Sequence, residues 1–242
     1  MDKKILILGD GLLGSELHKQ TGWDYISRKK DNFNVENFLN DFLKWKTIFE
    51  QYTDIVNCIG YINTRDNTKN FHMQINLDFP QDLIYVCNMM HKKYIHISTD
   101  YLYANSNKYA KEDDVLSQPN NWYCFSKLLS DIYVQFTANN FLTIRSTFKK
   151  NPYPYEFAWN DLIGNFDYVD KISEIIIKLI NNDAKGVYNV GTEAKTLYEL
   201  ARQTNPNVKI DKTTYPGRPM NTTMNLEKLN NFLIDIDNLK NN

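Results

Sequence analysis

The chain has 242 residues, 42% of them hydrophobic, which is enough for one α/β domain with a small second lobe. Its 28 Lys and Arg stand against 29 Asp and Glu, a net charge of −1, so there is no electrostatic footprint for a nucleic-acid partner. Cys58, Cys87 and Cys124 are odd in number and lack C-x-x-C spacing; they read as reduced thiols of a cytoplasmic protein, not as a disulfide frame or a zinc site. The apolar run near the start is too short for a signal peptide, and no later run approaches a membrane span.

Ile5, Leu6, Ile7 and Leu8 form an unbroken apolar run, the pattern of a strand buried on both faces of a parallel sheet. Gly9, Gly11 and Gly14 follow as G-x-G-x-x-G, and Ser15 onward reads as a helix with Leu12, Leu13 and Leu17 on one side. Strand, glycine turn and helix together make a dinucleotide-binding fingerprint. Gly9 allows the tight turn, Gly11 lets the backbone approach a pyrophosphate, and Gly14 lets helix and strand pack closely. The helix start supplies N–H groups and a positive dipole end. The alternative is a glycine turn without a ligand; the context favours the dinucleotide.

Trp23 to Ser27 is predicted as a short second strand, closed by Ser27, Arg28, Lys29 and Lys30. An acid at this point selects NAD and a basic residue accommodates the extra phosphate of NADP; with Ser27 and Arg28 here, NADP is favoured over NAD. Val35, Phe38, Leu39, Phe42, Trp45 and Phe49 recur at helical spacing and predict one core-facing helix over Val35–Tyr52. Asp54 to Gly60 is the next buried strand. Asn57, Cys58, Ile59 and Gly60 lie at its C-terminal end, the ligand side of an open α/β sheet. Asn76 and Asp78 precede another helix, with Asp78 as N-cap and Pro80 in the first turn. Tyr94 to Ser98 is a strand that brings Ser98, Thr99 and Asp100 to the same edge. A helix from Trp122 to about Phe136 and a strand over Phe141–Arg145 follow. The pattern then changes. A boundary there gives a Rossmann-type doubly wound parallel sheet over 1–147 and a small α/β substrate lobe over 148–242. The lobe is predicted to hold a helix over Ile172–Ile180, a strand over Gly186–Thr192, a short helix over Leu197–Arg202 and a last helix near the end.

Tyr123 and Lys127 are four apart at a helix start and share one face. A nearby ammonium favours the phenolate, which makes Tyr123 a usable general acid or base. The spacing alone arises often on solvated helices; its position after a glycine fingerprint and a strand ending Ser98-Thr99-Asp100 is what gives it weight. His18, His72, His91 and His96 show no metal spacing and no G-x-S-x-G elbow is present, so no metal is expected. Glu112, Asp113 and Asp114 read as a solvated turn.

The segments "GDGLLGSEL", "VNCIG", Asn76, "STDYLY", "YAKEDD", "WYCFSK", "IRS", "GVYNVGT" and "GRPMNTTMNLEKL" resemble the extended short-chain dehydrogenase/reductase family. Within it they are most similar to the sugar-nucleotide reductases of the dTDP-4-dehydrorhamnose reductase type. The resemblance covers nearly the whole chain. It implies an NAD(P)H-dependent reductase of a keto-deoxy-sugar nucleotide, in rhamnose and polysaccharide biosynthesis, with a homodimer as one assembly. It implies Thr99, Tyr123 and Lys127 as the catalytic set, Lys127 also holding the nicotinamide ribose. It adds Asn76 to the cofactor site, places Asp100, Tyr101 and Phe148 beside the sugar, and puts Arg218 in the C-terminal lobe against the substrate. It also brings the Glu112–Asp114 loop near the active site. The chain departs from the family at Cys124, where glycine is frequent, at Phe148, where tryptophan is frequent, and in a shorter C-terminal lobe. Tyr101 stands where sugar dehydratases carry an acid, and neither Cys58 nor Cys124 matches the cysteine of epimerising relatives. A sugar-nucleotide epimerase and a non-catalytic dinucleotide-binding regulatory protein of the same family remain the alternatives.

Overall fold

The apolar run at the start forms β1 (Ile5–Leu8), and all four of its residues are buried. The computed structural model to which it belongs describes residues 3–65, 68–104, 108–114, 116, 119–214 and 218–240. Its packing divides into two units, residues 1–98 with 119–143, and 99–118 with 144–242. The units therefore interleave in sequence where a single cut after residue 147 was expected.

In the first unit β1 leads into α1 (Leu12–Thr21), β2 (Asp24–Ile26), the one-turn helix α2 (Arg28–Asp31), a 3₁₀ turn (Val35–Asn37), α3 (Phe42–Phe49) and β3 (Asp54–Asn57). Then come α4 (Lys69–Met73), a π-helical turn (Gln74–Asp78), α5 (Phe79–Met89), β4 (Lys93–Ile97), α6 (Trp122–Thr137) and β5 (Phe141–Arg145). β2 and β3 flank β1 in parallel, and β4 continues in parallel beside β3. The sheet order is β2-β1-β3-β4-β5. Parallel strands need crossovers, and the intervening helices supply them. One face of this sheet is covered by a core in which Leu6, Leu8, Ile55 and Tyr94 meet Leu83, Ile84, Cys87 and Val134. Aromatic rings close its outer end edge-on, Phe33 on Trp45 at 4.8 Å and Phe38 on Phe79 at 5.3 Å.

Three expectations for this unit are corrected. β2 stops at Ile26, and Ser27 caps α2, its hydroxyl accepting from the Lys30 N–H at 3.1 Å. The helix expected over Val35–Tyr52 is broken between Asn37 and Phe42. Phe38, Trp45 and Phe49 are buried, while Leu39 is 47% and Leu43 81% exposed. Asn34 caps the 3₁₀ turn by accepting from the Glu36 N–H, and the break rotates the later stripe off the face that Leu39 and Leu43 would have shared. Asp78 is not an N-cap. It lies inside a helical run from Lys69 to Met89, with helical dihedrals and no side-chain cap bond. Pro80 cannot donate to a carbonyl four residues back and its ring crowds that carbonyl; the π turn just before it relieves both problems and carries Asn76 at its middle.

In the second unit the strands are short: β6 (Phe148–Lys149), β7 (Phe157–Trp159), β8 (Ile163–Gly164), β9 (Asp167–Tyr168), β10 (Gly186–Asn189), β11 (Lys195–Thr196), β12 (Lys209–Asp211) and β13 (Asn221–Thr222). The helices are α7 (Val169–Asn181), α8 (Leu197–Arg202) and α9 (Glu227–Lys240). β5 runs into this unit, and β10 takes the sixth place of the sheet beside it, with the Val190 N–H on the Arg145 carbonyl at 2.9 Å. The other strands make sheets ordered β11-β8-β13, β12-β7 and β6-β9. Ile172, Ile176, Leu179 and Ile180 give α7 its buried stripe. α8 opens with a capping box between Thr196 and Glu199. Tyr153, Phe166, Tyr168, Leu197, Leu200 and Val208 form one small core, and Tyr103, Ala110 and Met224 another.

Candidate functional site

The glycine turn has the geometry its spacing implies. Gly9 has φ +99°, a conformation that side chains rarely adopt, and a Cβ there would lie 2.9 Å from Ile59 Cγ1. A Cβ on Gly14 would lie 2.0 Å from the Gly9 carbonyl oxygen, so only glycine lets α1 sit this close to β1. A Cβ on Gly11 would meet nothing within 4 Å. Gly11 is the N-cap of α1 with no side chain bonded over the helix start, a start of the kind that can take an anion. Leu13 and Leu17 are buried against the sheet. Leu12, expected with them, is 42% exposed because it is the residue after the open Gly11 on the outer side of the helix.

At the end of β2 the basic residues Arg28, Lys29 and Lys30 are exposed, and only Ser27 is drawn inward. Ser27 is buried and donates to the Asp10 carboxylate at 3.0 Å, while its own N–H goes to Asp31 at 3.0 Å. Its hydroxyl is thus engaged in holding the glycine turn. Arg28, the first residue of α2, is exposed.

At the end of β3, Asn57 is buried. Its carbonyl oxygen accepts from the Ile59 N–H at 3.1 Å and its amide donates to the Tyr94 hydroxyl at 3.1 Å. The Cys58 N–H returns to the Leu8 carbonyl at 3.0 Å. Burial pushes the Cys58 thiol up to about 12, so it is a neutral group and not a nucleophile. Gly60 is exposed beside the buried Asn76. Asn76 clasps Tyr61, accepting from its N–H at 2.8 Å and donating to its carbonyl at 2.9 Å, and also donates to the Ser126 hydroxyl at 3.1 Å. It therefore joins the loop after β3 to α6.

α6 carries Tyr123 and Lys127. Asn121 caps it by accepting from the Cys124 N–H at 2.8 Å. Lys127 is only 6% exposed, and its Nζ donates to the Ile97 carbonyl at 2.6 Å. Burial lowers its pKa to about 8, with Asp131 acting in the opposite direction. Asp131 also holds Ser98, whose hydroxyl donates to it at 2.7 Å. Ser98 is thereby committed to the protein. Tyr123 is half-buried, with the His72 ring 6.4 Å away.

Thr99 opens the second unit. It caps the 3₁₀ turn Asp100–Tyr103, its Oγ1 accepting from the Tyr101 N–H at 3.2 Å, which leaves the hydroxyl proton to donate. Asp100 is fully buried and accepts from the Thr147 hydroxyl. Burial raises its pKa, against the pull of Thr147, Thr222 and Lys149. Tyr101 is half-buried, and so is Phe148, which pairs with Asp167 across β6 and β9. Arg218, expected to meet substrate, has both terminal nitrogens on Asp161 at 2.8 and 2.6 Å, with its guanidinium 4.9 Å from the Trp159 ring centre. The fork that would take a phosphate is filled by a carboxylate of the same unit. Tyr215–Gly217, which open that motif, lie outside the described residues. Glu112 is no solvated residue: its carboxylate accepts from the Asn189 N–H at 3.0 Å, and its carbonyl from the buried Arg145 at 2.9 Å.

Sequence reasoning weighed His96 only as a metal ligand and gave no role to Tyr94 or Asp131, nor to Asp161 and Trp159 around Arg218. Tyr94 and His96 alternate on β4, a signal in plain view; the partners of Arg218 are some sixty positions away and leave none. Among the described residues no group of three or more His, Cys, Asp or Glu is placed to hold a metal ion, and no helix is long and apolar enough to cross a membrane.

A family model described as RmlD substrate binding domain matches residues 3–151. No curated protein matches the chain. Among solved structures the chain is similar to dTDP-4-dehydrorhamnose reductase from Bacillus anthracis in complex with NADP, with a TM-score of 0.80 and 20% identity over 95% of this chain and 91% of that one. The Clostridium acetobutylicum dTDP-4-dehydrorhamnose reductase is 18% identical over 98% of this chain and 99% of that one, with a TM-score of 0.77. UDP-glucose 4-epimerase from Thermus thermophilus in complex with NAD is 14% identical over 94% and 92%, with a TM-score of 0.75. At these identities the likenesses show a Rossmann-type fold.

Proposed function

The chain belongs to the RmlD substrate binding domain family, and from that premise we propose that it is a nicotinamide-dependent reductase of a keto-deoxy-sugar nucleotide. The observation that carries the reading is Lys127. Its ammonium is buried at the end of β4, one helical turn from Tyr123, in the same unit as a glycine turn that fits a dinucleotide. A buried cation at this place has a purpose if it faces a ribose and a phenol, and little otherwise. The fit of the turn rests on the open Gly11, the uncapped start of α1 and the Gly14 contact that permits it.

When bound, the dinucleotide supplies a hydride to the carbonyl carbon. Tyr123 gives the proton to the carbonyl oxygen, helped by the charge of Lys127. Thr99 is the third member of the catalytic set that the family resemblance implies, and its hydroxyl suits the orienting of a carbonyl. Asp100, Tyr101 and Phe148 are the candidates for the sugar, and Arg218 for a phosphate, in competition with Asp161. The dTDP-4-dehydrorhamnose reductases among the similar structures make dTDP-4-dehydrorhamnose the first substrate to try. For the cofactor, Arg28 favours NADP, since it is exposed beside a turn whose neighbour Ser27 is engaged elsewhere. Arg28→Ala is expected to weaken NADPH a few-fold, roughly one lost surface phosphate contact, and NADH hardly at all; equal weakening of both in fluorescence titrations would remove the NADP preference.

The reading is tested by following the loss of reduced-nicotinamide absorbance with a panel of keto-sugar nucleotides of different bases. Turnover of one member is expected. Tight dinucleotide binding with no turnover of any member would return the regulatory-protein alternative.

A further inference from the structure

Asn57, Tyr94 and His96 lie on one face of the parallel pair β3 and β4. Asn57 stands opposite His96 in register, and Tyr94 is two residues before His96. All three are buried, and their polar ends meet in a line. The Asn57 amide donates to the Tyr94 hydroxyl at 3.1 Å, and that hydroxyl lies 3.0 Å from His96 Nδ1. The direction of the second bond follows from the first. The Tyr94 oxygen already accepts, so its proton goes to Nδ1, and His96 is the neutral tautomer with hydrogen on Nε2. Burial and the nearby Lys127 charge both lower the pKa of His96, which keeps it neutral. Burial holds the Tyr94 phenol far above its ordinary value.

The two ends of this line touch the two parts of the cofactor site. Asn57 Oδ1 holds the Ile59 N–H of the loop after β3, and Ile59 is the side chain nearest to where a Gly9 Cβ would stand. The residue after His96 is Ile97, whose carbonyl seats the Lys127 ammonium. In this tautomer the buried Nε2–H of His96 has no partner among the described residues, so the line is held by its two links, Asn57 to Tyr94 and Tyr94 to His96, and loosens when one is removed. A purely apolar interior would have served stability as well.

We infer that Asn57, Tyr94 and His96 form a positioning relay that couples the dinucleotide-facing loop after β3 to the carbonyl seat of Lys127. The inference rests on the reading of Lys127 as a dinucleotide contact. None of the three is a catalytic residue; they act through Ile59 and Ile97.

The test is a double-mutant cycle on dinucleotide affinity, read by fluorescence titration without any sugar substrate. Tyr94→Phe keeps the ring and removes the link. It is expected to weaken the dinucleotide roughly fivefold, and by less than twofold in a Lys127→Met background, because coupled neighbours are not additive. Nitrogen NMR of His96 should show hydrogen on Nε2 in the wild type and a tautomer mixture in Tyr94→Phe. If Tyr94→Phe yields little folded protein, Asn57→Ser breaks the other link and is expected to give the same non-additivity. Equal effects in both backgrounds, or hydrogen on Nδ1 in the wild type, overturn the relay while leaving the reading of Lys127 intact. A Lys127→Met protein that binds dinucleotide as well as the wild type overturns that reading, and the relay with it.

Discussion

The two units are held together by different means. In the first, four-residue strands are buried throughout and one apolar core with four edge-on aromatic rings backs the sheet. In the second, many strands have only two residues, the cores are small, and buried polar pairs do much of the joining. Arg145 reaches Tyr103, whose hydroxyl donates to Asn189 at 2.9 Å, and Asn189 in turn donates to the Ala110 and Asn225 carbonyls. Asp167 binds Lys195 at 2.9 Å and Thr192 at 2.7 Å, and these partners hold its carboxyl below the usual range although burial pushes it up. Apolar burial is additive and forgiving, while a buried charge is stable only with its partner in place. The first unit should therefore tolerate conservative core changes and fail where backbones touch; the second should fail where one member of a pair is lost.

The largest effect is expected at Tyr123. Tyr123→Phe removes a hydroxyl and keeps the ring, so the protein should fold and bind dinucleotide while turnover falls by about 10²-fold or more. Turnover near the wild-type value would move the chemistry away from α6.

Next is backbone contact in the first unit. Gly14→Ala puts a methyl group 2.0 Å from the Gly9 carbonyl and should lower stability by about 3 kcal/mol, the upper range for forced overpacking. Gly11→Ala adds the same atom to open space and should leave the melting temperature within a degree or two, roughly the scatter of neutral surface changes. Similar melting for both variants would mean that the glycine turn is not the tight element described.

Lys127 is a buried charge in the first unit, and its expected effect has the opposite sign. Its folded pKa of about 8 lies below the ordinary 10.5. Below pH 8 both folded and unfolded chains carry the proton, so the burial penalty is fully present. From pH 8 to 10.5 the folded state sheds the proton first and the penalty fades. Lys127→Met should therefore raise the stability of the dinucleotide-free protein at pH 7 by about 1–3 kcal/mol, with the gain shrinking above pH 8 in denaturant titrations. A variant less stable at pH 7 would show that the Ile97 bond outweighs the buried charge.

The smallest effect is expected in the second unit. Asp161→Asn leaves the Arg218 guanidinium, whose side chain is 4% exposed, without its charge partner. The loss should be about 1–2 kcal/mol, less than for a fully buried pair because Asp161 is 42% exposed. The Arg218 bonds hold the Asp161 carboxyl below its ordinary 3.8. The pair's contribution is present above that value and disappears as pH falls through the lower folded one. Asp161→Asn should accordingly differ from the wild type at pH 7 and converge with it in acid; a difference that persists at pH 2 would point to shape and not charge.

What the linear sequence determined by itself is the part built on short spacing. Four apolar residues, three glycines and a helix start need only local geometry to become a strand, a tight turn and a helix start without a side-chain cap, and Tyr123 and Lys127 share a helix face because a helix has 3.6 residues per turn. The second unit's α7 was readable for the same reason. What only the tertiary structure decided is how far each pattern runs and which polar groups are spent. The Val35–Tyr52 stripe breaks where Asn34 caps a 3₁₀ turn that stops at Asn37, and α3 begins only at Phe42. The helix start expected at Asp78 moves back to Lys69 because a π turn absorbs Pro80. Ser27, Ser98, Asn76 and Arg218 carry donors that suit a ligand in any reading of the chain, yet each is met by Asp10, Asp131, Tyr61 or Asp161. Those partners lie 15 to 57 positions away, and a hydrogen bond between residues that distant leaves no periodic trace, because it is folding that brings them within 3 Å.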